Sequence, residues 1–434
     1  MPAPVALPIS ANRKLDTIAP NKLFSRLGKT YALSSLSRKD SAGISSDNQH
    51  LVTELSRFAT FDELRRSKFY QEHKSRLKRL LDELRVFQPL STRPRLASFL
   101  RVVEWNIERG THLQGIIDVL NTHPVLRFAD LLLLNELDEG MLRSRNINVP
   151  EELSRSLSAN TIFGVEYLEL TKGTGHELTL TGQNSTALHG NAILTRHAFS
   201  NAQLVRLPRC ENNFESKERR IGSRVGILLD IDIAGTSLVV GNTHLDVVNT
   251  PRCRARQMAA MLQAVDARVG RQPGCAAIVG GDLNTHTFAR GTRFRAMRNT
   301  ATILNSRRER LRRRLIRPEF REPAIREFAR FGYSTAGFND GSCTSRTIVS
   351  NLDDPSRLPR LMKWWVNRRV GPEGLLLEFR LDWLAGRGIR ALTAGEVVDE
   401  HTGTASVDAQ TVLGLKYRGS PLSDHDPIVV DLAL

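Results

Sequence analysis

Six short apolar runs punctuate the chain from residue 99 onward: FLRVVEW (99–105), ADLLLLNE (129–136), SLVVGNTHL (237–245), AAIVGGDLN (276–284), LEFRLDWL (377–384) and DPIVVDL (426–432). Their apolar positions are mostly consecutive. That pattern predicts strands covered on both faces by further layers. Helical patterns lie between them. The stretch 251-PRCRARQMAAMLQAVDARV-269 has Thr250 as a cap, Pro251 at its first position and Gly270 just past its end. Upstream, Thr60-Phe-Asp-Glu63 has capping-box spacing and predicts a helix through about Val86, with Leu77, Leu80, Leu81 and Leu84 as its apolar stripe. Pro89 and Pro94 then mark a linker. Strands alternating with helices predict a layered α/β domain over 99–434, preceded by an extension over 1–98 that is basic, helical and partly disordered. No apolar run approaches the ~20 residues that span a bilayer.

The strand ends carry the chemistry. The first run ends at Asn106, the second at Glu136, the third at His244, and the fourth at Asp282 and Asn284. The fifth contains Asp382, and Asp424 and His425 precede the last. One such residue is ordinarily a turn former. A whole series of Asn, Asp, Glu and His on one sheet edge predicts a site. Its carboxylates and amides are the hard oxygen ligands that Mg²⁺ or Mn²⁺ prefers. No Cys/His spacing suggests zinc.

Charge adds a partner. The net charge is +16, and it is unevenly placed. Residues 1–98 hold 18 basic and 9 acidic side chains, and residues 290–330 hold 14 Arg and 4 Glu. The rest of the chain is near neutral. The Arg-rich insertion, 293-RFRAMRNTATIL-304 with 307-RRERLRRRLIR-317, predicts a helix whose Phe294, Met297, Leu304, Leu311 and Leu315 roughly share one face. Its arginines suit phosphates, whether of nucleic acid or of an anionic membrane surface. Arg219, Arg220 and Arg224 in 217-KERRIGSRVG-226 are expected to meet substrate phosphates. Cys210, Cys253, Cys275 and Cys343 form no close pair and are expected to be reduced, in a cytoplasmic compartment. Residues 1–39, with seven Lys/Arg and one acid, read as a disordered basic leader, or as an organelle-targeting segment.

The ordered set 104-EWNIERG-110, 134-LNE-136, 189-HGNAILTR-196, 241-GNTHLD-246, 280-GGDLNT-285, 380-RLDW-383 and 423-SDHDP-427 resembles the endonuclease/exonuclease/phosphatase superfamily. The resemblance spans 99–434, about three-quarters of the chain. It implies a four-layer α/β sandwich, two mixed sheets face to face with helices outside. It also implies roles. Glu136, Asn106 and Asp424 would hold the metal ion, and Asp282 would orient or deprotonate the attacking water. Asn284 would hold the scissile phosphate, with Asn191 of the HGN motif among the substrate-binding residues. His425 would bind a phosphate oxygen, with Asp382 as its carboxylate partner, and His244 would donate a proton to the leaving oxygen. The expected activity is Mg²⁺-dependent phosphodiester hydrolysis by a monomeric nuclease. The alternatives are a phospholipid or sphingomyelin phosphodiesterase, an inositol-phosphate phosphatase, or a non-catalytic polyanion-binding protein.

Overall fold

The computed structural model describes residues 34–35, 48–233, 235–270, 274–348 and 375–434, with isolated positions between 359 and 368. The basic leader over 1–39 therefore lies almost wholly outside the described residues.

Two mixed sheets form the centre. The first has nine strands: β1 (Ser34–Ser35), β2 (Leu84–Phe87), β3 (Phe99–Arg109), β4 (Leu131–Glu139), β5 (Asn160–Glu169), β6 (Leu188–Thr195), β8 (Arg220–Gly222), β15 (Gln410–Thr411) and β18 (Ile428–Ala433). Its spatial order is β1-β2-β5-β6-β4-β3-β18-β15, with β8 on β5. The second runs β14 (Asp382–Arg387), β11 (Ala276–Asp282), β10 (Thr236–Thr243), β9 (Val225–Ile233) and β7 (Phe199–Arg206). β3 runs parallel to β4 and β10 parallel to β11. Two small two-stranded sheets complete the described strands, β12 (Ser345–Ile348) with β13 (Leu376–Phe379), and β16 (Lys416–Tyr417) with β17 (Ser420–Pro421).

The consecutive apolar runs are explained by two-sided burial. Val102, Leu133 and Ile193 from one sheet meet Ile227, Val240 and Ile278 from the other in a central core. Their neighbours Val103, Leu132 and Leu194 point the other way, towards α3 (Leu113–Thr122) and α4 (Val149–Leu157). Leu228, Val239 and Val279 pack outward against α5 (Pro251–Val269) and α8 (Pro323–Arg330). Strand side chains alternate between faces, so each apolar strand feeds two cores. The result is the expected sandwich of helix, sheet, sheet and helix.

Local predictions meet different fates. α5 begins at Pro251, with the Thr250 side chain accepting from Cys253 N–H. The Thr60/Glu63 capping box is formed, but its helix, α1 (Phe61–Arg66), stops at Ser67. Ser67 caps α2 (Lys68–Asp82), and Leu84–Phe87 pairs with β5 as strand instead of continuing the helix. The Arg-rich insertion is likewise two helices, α6 (Arg293–Asn305) and α7 (Arg308–Ile316). The break turns Phe294 and Met297 outward, 72% and 37% exposed, while Leu304, Leu311 and Leu315 are buried. Cys210 and Cys253 form a disulfide across 43 residues, which corrects the expectation of four reduced thiols. The pairing joins the first turn of α5 to the loop before β8, a proximity that spacing alone does not reveal. Cys275 and Cys343 are free.

Candidate active site

The sheets bring the polar strand ends to one edge. β11 and β14 are in register at their ends, so Asp282 lies opposite Asp382. Buried amides staple the two sheets beneath this point. Asn242 Nδ2 donates to the carbonyls of Leu134 and Ala192, both at 2.9 Å, and Asn135 Oδ1 accepts from Asp282 N–H at 2.8 Å. The strands also bulge here. The β3–β4 register shifts between Asn106 and Arg109, and the β4–β6 register shifts between Leu134 and Leu137. Bulges at such positions re-aim side chains. Glu136 and Asn284 sit at φ +56° and +50°, a left-handed conformation rare for residues other than glycine and typical of functional edges.

Asp282 is the hub. Its Oδ1 accepts from Asn284 N–H at 2.9 Å, and its Oδ2 accepts from Asn106 Nδ2 at 3.1 Å. His244 Nε2 and His425 Nε2 lie 3.4 and 3.8 Å from the same Oδ2. Burial, then the Asp382 charge, pushes the Asp282 carboxyl up to about 7, against the opposing pull of His425. The other ring nitrogen of His425, Nδ1, lies 2.8 Å from Asp382 Oδ2. Burial would discharge this ring, but Asp382, Asp424 and Asp282 outweigh it and hold His425 protonated well above its ordinary range. The loop is fixed by Trp105 Nε1, which donates to His425 O at 2.9 Å, and by Ser423 Oγ, which donates to Asn106 O at 2.7 Å. Asp426 pairs with Arg346 and accepts from Gly414 N–H, a loop-fixing role.

A second group of carboxylates surrounds the opening: Glu136, Asp424 and, unanticipated from the sequence, Glu108. Burial, then the charges of Asp424 and Glu136, pushes the Glu108 carboxyl up to about 7. Burial would raise Glu136 too, but Arg109, His189, Arg224 and His425 keep it ionised. Mutually repelling hard oxygen donors fit a divalent cation, which would relieve the repulsion. Asn106 Oδ1 already accepts Glu108 N–H at 3.1 Å and has a second lone pair to offer. Asp282, Asp382 and His425 also present ligand atoms within 4.8 Å of one another. There the protonated imidazole already bridges the two carboxylates, so Glu136, Asp424 and Asn106 are the better cation donors. Glu108 and Arg109 lie two and three residues past Asn106 in the quoted EWNIERG, the one place where the sequence could have pointed to them. Glu104 behind the site is fully buried with neither oxygen partnered, and burial with Asp382 and Asp282 keeps it neutral.

Several expected substrate contacts are engaged elsewhere. Arg224 is buried, with NH1 2.7 Å from Glu166 Oε2 and 2.8 Å from His244 Nδ1. An arginine can only donate, so His244 Nδ1 must accept and the ring is neutral. Burial and Arg224 push its pKa well below the ordinary range. An excess proton for a leaving group is therefore not held at His244; its remaining N–H points at Asp282. Arg219 binds the backbone carbonyls of Ser56, Phe58 and Phe214. Arg220 stacks 4.0 Å over Tyr167 and pairs with Glu218 and Glu169. Asn191 donates to Glu166 and accepts from Glu136 N–H at 3.4 Å, so it positions the Glu136 backbone. All three arginines are engaged within the protein instead of presenting a free guanidinium to a ligand.

Two mixed sheets under helices, with an Asp–His–Asp cluster and a carboxylate-lined opening at one edge, define a phosphoric ester hydrolase. Residues 103–425 match the Endonuclease/Exonuclease/phosphatase family, and the chain belongs to it. Solved structures similar to it include truncated TDP2 of Caenorhabditis elegans (15% identity, 77% of this chain and 98% of that one, TM-score 0.39). The human Nocturnin catalytic domain with bound sulfate is another (16%, 79% and 99%, 0.38). A third is the mannosyl-6-phosphatase Bt3783 of Bacteroides thetaiotaomicron (13%, 77% and 100%, 0.39). No curated protein matches the chain.

Proposed function

We propose that the chain is a Mg²⁺-dependent phosphodiesterase acting on nucleic acid. The observation that carries this reading is the pairing of a carboxylate poised near neutrality, Asp282, with a protonated His425 held by Asp382. A divalent cation held by Glu136, Asp424 and Asn106 would neutralise charge on the phosphate and polarise it. Asp282 takes the proton from the attacking water, and Asn106 and Asn284 N–H fix its orientation. His425 presents its Nε2–H to a phosphate oxygen and stabilises the charge that develops there. Asn284, whose Nδ2 donates to Leu245 O at 2.9 Å, holds its amide beside Asp282 for the scissile phosphate. His244, neutral, orients Asp282. The excess of basic side chains supports a polyanionic substrate.

The test is cleavage of end-labelled single- and double-stranded DNA and RNA. Wild type should cleave with Mg²⁺ and stop on chelation. Asp282→Asn should lose ~10²–10⁴ in rate, the usual worth of a general base. A folded, metal-binding wild type that cleaves none of the four would sink the nucleic-acid reading and direct attention to lipid and inositol phosphates.

A further inference from the structure

A cleft of about 560 Å³ lies outside the catalytic cluster, between the start of α5, α6 and the start of α8. Five arginines line it: Arg252, Arg295, Arg298, Arg321 and Arg326. None has an ion-pair partner among the described residues, whereas nearby Arg254 is paired with Glu322 at 2.6 Å. Arg252, Arg298, Arg321 and Arg326 are exposed, so their guanidiniums remain available to a ligand, while Arg295 is half-buried and donates to the carbonyl of Arg290 at 3.0 Å. Their crowding is felt locally. Burial, and then the charges of Arg321 and Arg298, lower the pKa of Arg314. Two helices, α5 and α8, also begin at this cleft and add the positive ends of their dipoles. So much uncompensated positive charge in a concavity suits an anion with several oxygens, which arginine forks engage in pairs.

The cleft lies within a short reach of chain from the catalytic edge. Ala289 on its wall is five residues beyond Asn284, and Thr250 is six beyond His244. Those are at most about 18 and 22 Å of extended chain. With one phosphate per ~3.4 Å of axis along a strand, this is a reach of about six nucleotides or fewer. A ligand filling both positions must carry phosphates in series. We propose that this cleft is a distal phosphate-binding subsite that grips the backbone of a nucleic-acid strand whose scissile phosphate lies at Asp282 and His425. Exposed Phe294 stands one turn before Arg298 on the same face of α6 and offers a base a stacking surface. The inference rests on the nucleic-acid reading of the catalytic edge, and it deepens that reading by giving the strand a path.

The experiment is binding of a fluorescein-labelled 20-nucleotide oligothymidylate to the full chain, measured by anisotropy with Mg²⁺ in the Asp282→Asn background. Arg298→Ala/Arg321→Ala should weaken binding about tenfold or more at 0.1 M salt. It should also lower the slope of log affinity against log salt by about 1.4, the share of two single-strand phosphates. A dinucleotide, whose single internucleotide phosphate cannot fill both positions, should lose far less. Overlaid thermal melts establish that the double variant is folded. Unchanged 20-mer affinity and slope would overturn the proposal. So would loss of binding to vesicles containing 20% phosphatidylserine with 20-mer affinity intact, because the cleft would then serve a membrane. The cleavage assay separates this inference from the proposed function. If wild type cleaves no nucleic acid but needs Arg298 and Arg321 to bind the 20-mer, the cleft stands and the catalytic reading falls.

Discussion

At the scale of single residues, Asp382 couples the two working groups. It raises the pKa of both neighbours, Asp282 and His425. Asp282 acts ionised, so activity should fall as pH drops below about 7. His425 acts protonated, so activity should fall again only well above its ordinary range. Replacing Asp382 by Asn removes a negative charge from both. Both limbs of the kcat/KM profile should then move to lower pH, measured at one saturating Mg²⁺ concentration. A shift of the alkaline limb alone would mean that Asp282 does not sense Asp382. These residues were legible in the sequence because Asp282 ends an apolar run, Asp382 lies within one and His425 precedes one, places where a buried strand has no structural need for a carboxylate or imidazole. The fates of Arg219, Arg220 and Arg224 were not legible. Their partners Phe58, Tyr167 and Glu166 come from other segments, so a run of arginines looked free when it was not.

At the scale of elements, β11 aims the site through a glycine. Gly281 lies at φ +136°, directly before Asp282, and an added Cβ would collide with the carbonyl oxygen of Thr243. Gly281→Ala should force β10 and β11 apart at the point where Asn135 receives Asp282 N–H. A loss of stability of about 1–3 kcal/mol in urea, with a larger proportional loss of kcat, is the expected pair of outcomes. Equal stability and activity would mean that the backbone relaxes without moving Asp282. Five of the apolar runs revealed their strands because both faces are buried, whereas LEFRLDWL spans two strands, β13 and β14, in different sheets. β5 did not reveal itself, since its buried Glu166 and Glu169 interrupt the apolar pattern and find their partners, Arg224, Asn191, Arg143 and Arg220, elsewhere in the chain. β2 was concealed for a related reason. Leu84 continues the leucine stripe of α2, and only pairing with β5 draws Leu84–Phe87 into the sheet.

At the scale of the molecule, the question is whether residues 48–98 are an appendage to a domain beginning at 99. The packing argues that they are part of its core. Leu51, Leu55, Leu64 and Leu77 are buried in the same cluster as Val103, Trp105, Phe163 and Leu188. Fully burying a leucine is worth about 1.5–3 kcal/mol, so the four contribute about 6–12 kcal/mol. The whole stability of a typical domain is about 5–15 kcal/mol. Arg219 also bonds the carbonyls of Ser56 and Phe58, and removing β2 would leave the β5 edge open to pairing with other chains. A 99–434 fragment should therefore lack a cooperative thermal transition and aggregate, whereas a 48–434 fragment should melt cooperatively. If 99–434 instead melted like the full chain and kept its Mg²⁺-dependent activity, the leucines of 48–98 would be a removable cover, and the catalytic fold would be complete from β3 onward.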